Sequence, residues 1–480
     1  MIRSIIIHGD FMTETKEIKK NKKYEIDMCS GNLFKKIVIF CFPLMLMGIL
    51  QLFYNAADLI IVSNFSDDPN ALGAVGSTGS LINLTVNLFM GLSVGTNVLC
   101  ANLYGSKSFE RIGKVVHTSI LISLIIGIAL SIFGILFAKD LLLMMNNTLD
   151  SSRIYLQIYF IGMPFNLVYN FAAAILRAVG DTKRPLYYLI ITGLINVILN
   201  LIFVVVFKMG VAGVALATVI SQFLSFILIM TTLIKSKECY RFKFNELRIS
   251  KKELFDIIKI GLPAGIQSSL FSISNTLIQS SVNKFGEVAM NGNSAAQNIE
   301  GFVYVAMNSV YHAAIAFTSQ NAGARNAKNI KKITVYSLIY VTLVAATLGV
   351  AIFSIGNPII NIYTKHPDEI SVAYIRLHYL CLPYFLCGIM DVMVGVIRGL
   401  GKSTAPMIVS IVGVCGLRIV WILFIFYNLT DFTNYNDLNL LYVSYPISWI
   451  VTFLAHLTCY YYYSRKIFKT YKNNHVLLPN

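Results

Sequence analysis

Long apolar runs alternate with short polar stretches along almost the whole chain. A window of about 20 residues matches the length that crosses a bilayer as a helix. It picks out twelve apolar segments: 37–62, 71–101, 115–138, 154–176, 185–207, 210–234, 260–282, 288–321, 333–355, 377–397, 404–427 and 438–463. Strands of a membrane barrel would be about ten residues long and would alternate in polarity. These segments are longer and continuous, so the pattern predicts an all-α integral membrane protein of twelve transmembrane helices. Gly, Pro and Asn inside several segments fit that reading, because neighbouring helices or cavity water can satisfy the freed backbone.

Composition agrees. Apolar residues make up 56% of the 480 and charged residues 13%, and the mean hydropathy is +0.68. So few charges could not cover a water-soluble core of this length, and the excess apolar surface must meet lipid. The basic balance, 39 Lys and Arg against 23 Asp and Glu, has its meaning in its distribution. Twelve spans put both termini on one side. That side holds 32 of the basic residues and the other only six: Lys139, Arg153, Lys208, Lys284, Lys365 and Arg376. Arg418 falls within a span. By the positive-inside rule both termini are expected in the cytoplasm, at the cell membrane, with the lipid bilayer and not nucleic acid as the partner of the charge. The eight cysteines include no C-x-x-C pair and lie mostly in apolar runs, so neither a disulfide framework nor a metal site is expected. The first apolar run has no cleavage site, so no signal peptide is expected to be removed. Residues 1–30 are polar and Lys-rich, with Met12 an alternative start.

The spans divide into two sets of six. The expected organisation is a tail at 1–32, a six-helix bundle at 33–234, a cytoplasmic linker at 235–252, a second bundle at 253–463 and a tail at 464–480. The halves share R-x-x-G-x-[ST]-x-x-P, at Arg177 to Pro185 and again at Arg398 to Pro406, 221 residues apart. Pro43 and Asn55 match Pro263 and Asn275 at 220, and Gly105 matches Gly323 at 218. A near-constant offset marks an internal repeat. Each half has an even number of spans, so the repeats are parallel and related by a pseudo-twofold axis along the membrane normal. That plan favours transporters that bind cargo between rocking halves.

Several stretches resemble the multidrug and toxic compound extrusion (MATE) family: L-F-Y-N-A-A-D-L-I-I-V (Leu52 to Val62), the paired R-x-x-G motifs, and G-V-A-G-V-A-L-A-T-V-I-S-Q (Gly210 to Gln222). F-T-S-Q-N-A-G-A (Phe317 to Ala324) and L-Y-V-S-Y-P-I-S-W (Leu441 to Trp449) join them, and together the matches run from about residue 24 to 463. The resemblance implies twelve helices in two bundles, acting as a monomer by alternating access. It also implies antiport of cationic or amphipathic compounds against H⁺ or Na⁺, with no other cofactor. A related reading is a flippase for lipid-linked oligosaccharide or another lipid-like substrate, which uses a similar bundle and needs a strongly cationic cavity.

Polar groups at lipid depth are the candidate sites. Asp58, Glu300, Asp391 and Arg418 lie well inside spans, where each costs roughly 2.5–3.5 kcal/mol unless paired, protonated or hydrated. Gln51, Asn55 and Asp58 form one helical stripe, which must face protein or water. Asp58 also matches the acid that the family uses for cation coupling. Asn55, Asn170, Asn196 and Asn200 are expected to complete that site, with Asn166 beside Asn170. The family usually has an acid where Asn200 stands, which puts a proton relay across spans 1 and 5 in doubt. Gln51 on span 1, Asn275 and Gln279 on span 7, and Gln297, Glu300 and Tyr304 on span 8 are expected to line the substrate cavity between the two bundles. Glu300 could attract a cationic drug or be held by an Arg or Lys elsewhere. Some relatives carry an acid where Phe271 stands. Asp391 and Arg418 are read as a structural ion pair, and Arg177 and Arg398 as cytoplasmic helix ends that cap carbonyls and anchor headgroups. The acids outnumber the one Arg at this depth, which favours cationic cargo.

The chain has no Walker A, G-x-S-x-G, H-E-x-x-H or dinucleotide-binding motif, so an enzyme is not expected. Uphill export would then draw on an ion gradient. A potential of 100 mV supplies about 2.3 kcal/mol per charge, or roughly fortyfold accumulation.

Overall fold

A computed structural model describes residues 24–66, 68, 71–144 and 149–475. Met12 lies outside the described residues. The molecule is built of helices. In the first half these are α1 (Leu33–Phe65), α2 (Ala71–Gly105), α3 (Phe109–Leu143), α4 (Asp150–Ile161), α5 (Met163–Ala178), α6 (Lys183–Asn200) and α7 (Gly210–Lys235). The second half has α8 (Lys251–Asn283), α9 (Glu287–Gly323), α10 (Ala327–Ser354), the short α11 (Gly356–Tyr363), α12 (Pro367–Leu380) and α13 (Tyr384–Gly399). It closes with α14 (Thr404–Leu429), the short α15 (Leu438–Tyr442) and α16 (Ser444–His475).

Among the described residues, nine helices are long and apolar enough to cross a membrane, and eleven spans result when each bent pair counts once. The twelfth is α9. At 37 residues it is long enough, but it carries Asn291, Asn293, Gln297, Asn298 and Glu300. Asn293 and Glu300 are buried among them, and the rest of the helix runs through the interior, every residue from Ala313 to Ala322 being buried.

The backbone repeats the duplication seen in the sequence. The fourth span of each half is bent, by 47° between α4 and α5 and by 46° between α12 and α13. Pro164 and Pro383 stand at the two breaks, where a missing N–H interrupts the ladder. Gly180 and Gly401, in the paired R-x-x-G motifs, turn the chain with φ of 93° and 78°. The structure corrects two predicted limits: the fourth span begins at Asp150, not at 154, and the tenth at Pro367, not at 377, so that it includes Arg376.

The halves meet chiefly along α2 and α8, through glycines. A Cβ on Gly91 would come within 2.1 Å of the Gly265 nitrogen, and one on Gly95 within 2.3 Å of the Ile257 oxygen. Gly261 and Gly265 are crowded in return by the backbone of Leu92 and Leu88. Two G-x-x-x-G faces therefore cross backbone to backbone, the close packing that small residues allow in lipid. The same device recurs near the termini, where Gly105 abuts Gln320 and Gly323 abuts Asn102.

The segment leading into α1 is laid across that end. Glu25 accepts hydrogen bonds from Tyr104 (3.0 Å) and Tyr240 (3.1 Å) of the first half and its linker. Asn321 and Asn329 of the second half donate to the carbonyls of Met28 (2.8 Å) and Cys29 (2.7 Å). Tyr471 of α16 donates to the Ala322 carbonyl at 3.1 Å, so both ends of the described chain lie on one face.

Candidate functional site

Each half holds one polar cluster at lipid depth. In the first, α1 lies close against α6: the Tyr54 ring rests on Gly193, where a Cβ would come within 2.0 Å of it. This contact sets Asp58 opposite Asn196 and Asn200, which are one helical turn apart. Asn200 Nδ2 donates to Asp58 Oδ1 at 2.5 Å and to Asn196 Oδ1 at 3.3 Å. Asn200 Oδ1 is buried without a hydrogen-bond partner. A π-helical stretch, Leu201–Val206, follows at once; such widened turns recur at functional sites. One carboxylate, two amides and an unsatisfied amide oxygen can hold a cation among oxygens or share a proton.

Two residues expected at this site stand apart from it. Asn55 is exposed and takes no part in the hydrogen bonds around Asp58. Asn170 donates to the backbone oxygen and to Oδ1 of Asn166, both at 2.9 Å.

The second cluster lines a cavity of about 550 Å³. It does not lie between the bundles, where the substrate cavity was expected. Apart from Asn87 of α2, its lining comes from α8, α9, α12, α13, α14 and α16 of the second half.

Asn275, Gln297, Glu300 and Tyr304 line this cavity, as do Asp391 and Arg418. Gln51 and Gln279 are not in its lining. Gln279 instead accepts from Asn293 Nδ2 (2.7 Å) and Gln297 Nε2 (3.2 Å). Of the two roles open to Glu300, the structure shows the ion pair. Arg376 clasps it through Nη2–Oε1 at 2.5 Å and Nε–Oε2 at 3.2 Å, while its Nη1 donates to Asn293 Oδ1 at 2.7 Å. A bidentate, further hydrogen-bonded guanidinium is the arrangement that lets a charge pair persist away from water.

The expected pair of Asp391 with Arg418 is not formed; no salt bridge joins them among the described residues. Arg418 Nε donates to Ser448 Oγ at 2.9 Å, and its guanidinium lies 3.9 Å from the centroid of the Tyr445 ring. A hydroxyl and an aromatic face have taken the carboxylate's place. Arg398 is not a headgroup anchor either. It is 4% exposed, lines the cavity, donates to Tyr311 Oη and, at 2.7 Å, to Gln267 Oε1. Arg177 is likewise buried, with Nε unpartnered.

Sequence reasoning therefore missed two cavity residues. Arg376 was counted as an outer-loop charge and Arg398 as an interfacial one. Pro367, favoured at the first turn of a helix, was the signal that would have moved the start of the span outward and taken Arg376 in. With both included, the charged lining is Arg376, Arg398 and Arg418 against Glu300 and Asp391. The excess of acid read from the sequence is reversed.

Similar proteins place the architecture. The chain is 26% identical over 433 residues to a probable multidrug resistance protein, YoeA, of Bacillus subtilis (strain 168), covering 88% of this chain and 92% of that one. It is 23% identical over 397 residues to a probable multidrug resistance protein, NorM, of Thermotoga maritima, covering 80% and 84%. An outward-facing multidrug resistance MATE family transporter of the MOP superfamily superposes with a TM-score of 0.83 at 22% identity, over 92% of this chain and 97% of that one. The MatE family model matches twice, at residues 43–202 and 263–424, once in each half. The chain belongs to the MatE family and is a multi-pass membrane transporter, not an enzyme.

Proposed function

We propose that the protein is a secondary-active exporter of amphipathic small molecules. It exchanges cargo for H⁺ or Na⁺ by alternating access, as a monomer in the cell membrane, with both termini cytoplasmic. The names of its relatives support multidrug export, and the 32-to-6 split of basic residues supports the orientation. The observation that carries the coupling is the group around Asp58. A lone carboxylate faces Asn200, whose own oxygen has no partner. With Asp58 charged, the Asn200 NH₂ donates to it. With Asp58 protonated, the amide turned over accepts from the new O–H. A cation bound among the same oxygens serves equally. Either occupancy changes the charge at the α1–α6 contact and biases one orientation of the halves.

The test is uphill efflux of ethidium and of 1-pyrenebutyrate from proteoliposomes, with pH and Na⁺ gradients imposed separately. One gradient should drive efflux, and Asp58→Asn should lower the driven rate at least a hundredfold while the protein remains folded and inserted. Driven efflux by Asp58→Asn at the parental rate would overturn this coupling. The arginine excess in the cavity favours, as a second reading, a flippase for a lipid-linked oligosaccharide or other lipid-like substrate. That reading predicts transfer of the lipid with both gradients collapsed.

A further inference from the structure

We infer that the cavity of the second half is a receptor for an organic anion: a carboxylate or phosphate group attached to an apolar body. The inference rests on the exporter reading for its physiological setting and on the lining side chains for its chemistry. Arg376 and Glu300 neutralise each other. Two guanidinium groups then remain, Arg398 and Arg418, each 4% exposed. Their partners are neutral: Tyr311 Oη and Gln267 Oε1 for Arg398, Ser448 Oγ and the Tyr445 face for Arg418. Arg398 Nε is buried with no partner at all. Asp391 is the single other charge in the lining, and it forms a salt bridge with neither.

A buried guanidinium with only neutral partners leaves most of its desolvation uncompensated. Here two such groups open onto one space of about 550 Å³, within the range of a drug-sized ligand. A planar carboxylate or a phosphate fits the forked donors of Arg in a way that a cation cannot. Phe271, Tyr304 and Trp449 in the same wall supply the surface for an apolar or aromatic body. A cationic compound would meet a net positive lining with Asp391 charged, and a more positive one with Asp391 neutral.

The experiment uses two probes that share a body and differ in sign, 1-pyrenebutyrate and 1-pyrenebutylamine. They are titrated against the full-length protein in nanodiscs of zwitterionic lipid, with energy transfer from Trp449 as the signal and empty discs as the baseline. The anion should bind at least tenfold more tightly than the amine. Arg418→Gln and Arg398→Gln should each erase that preference, while Arg418→Lys should retain part of it. Asp391→Asn should tighten anion binding severalfold, a gain that a misfolded protein could not show. Equal or tighter binding of the amine, or no gain from Asp391→Asn, would overturn the inference. A second arm adds anionic phospholipid to the discs: competition with the probe assigns the site to lipid headgroups, and indifference assigns it to free amphiphiles. Anion binding without uphill efflux under any gradient would sink the exporter reading and leave this one standing. Driven efflux confined to the cationic probe would do the reverse.

Discussion

The two halves share a scaffold and differ in what they hold at lipid depth. Their bent fourth spans, the positive-φ Gly180 and Gly401, and the close-packed Gly105 and Gly323 recur at offsets of 218 to 221 residues. Of their buried charges only Arg177 and Arg398, 221 apart, recur; the others do not. Asp58 has Ile278 as its counterpart at an offset of 220, and Asp391 answers to Asn170 at 221. The first half has a single acid among amides. The second has an ion pair, a further acid and two arginines without acid partners. After duplication, the backbone devices that let helices bend and touch were retained twice, because each half must solve the same packing problem. Most charges within the bundles diverged, and the function proposed above assigns coupling to one half and cargo to the other.

The comparison can be broken first at Glu300. Glu300→Gln leaves Arg376 buried without its carboxylate, and loss of one partner of such a pair costs about 3–5 kcal/mol. Unfolding in mixed micelles should show that loss, whereas the double replacement Glu300→Gln with Arg376→Met should recover most of it. A small effect of the single change would mean that the second half does not depend on its ion pair.

Next in size is the glycine contact. Gly91→Ala places a methyl against the backbone of Gly265, which cannot yield, and should cost about 3 kcal/mol. The matching contact of α1 with α9 is softer. Gly48→Ala meets the Val305 side chain, which can rotate, and should cost about 1 kcal/mol. Equal melting temperatures for the two variants would contradict this ranking.

A smaller effect than that of Gly91→Ala is expected at the paired R-x-x-G turns, where the first half has Asp181 and the second Lys402. Burial pushes the Asp181 carboxyl up to about 6, with Arg184, at 2.9 Å, partly offsetting the shift. The folded protein therefore holds this proton more tightly than the unfolded chain does. Stability contributed here is present in full below pH about 4 and declines as pH rises toward 6, by about 2 kcal/mol. Asp181→Asn should flatten the melting curve across that interval, and Lys402→Gln should leave it unchanged.

Most of the architecture was legible because a membrane helix is a mean property of about 20 residues, and an average survives local irregularity. The same averaging hid α12. Its Asp368, Glu369, Arg376 and His378 lower the window mean, so the span was started ten residues late and Arg376 was assigned to a loop. The Asp58 group could be assembled in advance because helical spacing sets Asn196 and Asn200 on one face and the family resemblance sets that face beside span 1. The cavity could not, because it depends on how α8, α9, α13 and α16 approach one another. Arg398 looked interfacial by its place in the chain and is enclosed by helices far from it in sequence. Gln279 shares a helical face with Ser272 and Asn275 yet stays outside the lining, and the helix that carries Gln51 contributes no residue to it.

Where α2 crosses α8, no side chain separates the two main chains, and carbonyl oxygens lie in the path of any sliding. Under the alternating access proposed above, such a contact would resist translation and permit pivoting, and so serve as a fulcrum. From Gly91 to Ala71 the helix extends about 30 Å, so a tilt of about 10° at the fulcrum swings that far tip by about 5 Å. A lever of this proportion turns a small change at the crossing into a gap wide enough to admit a molecule.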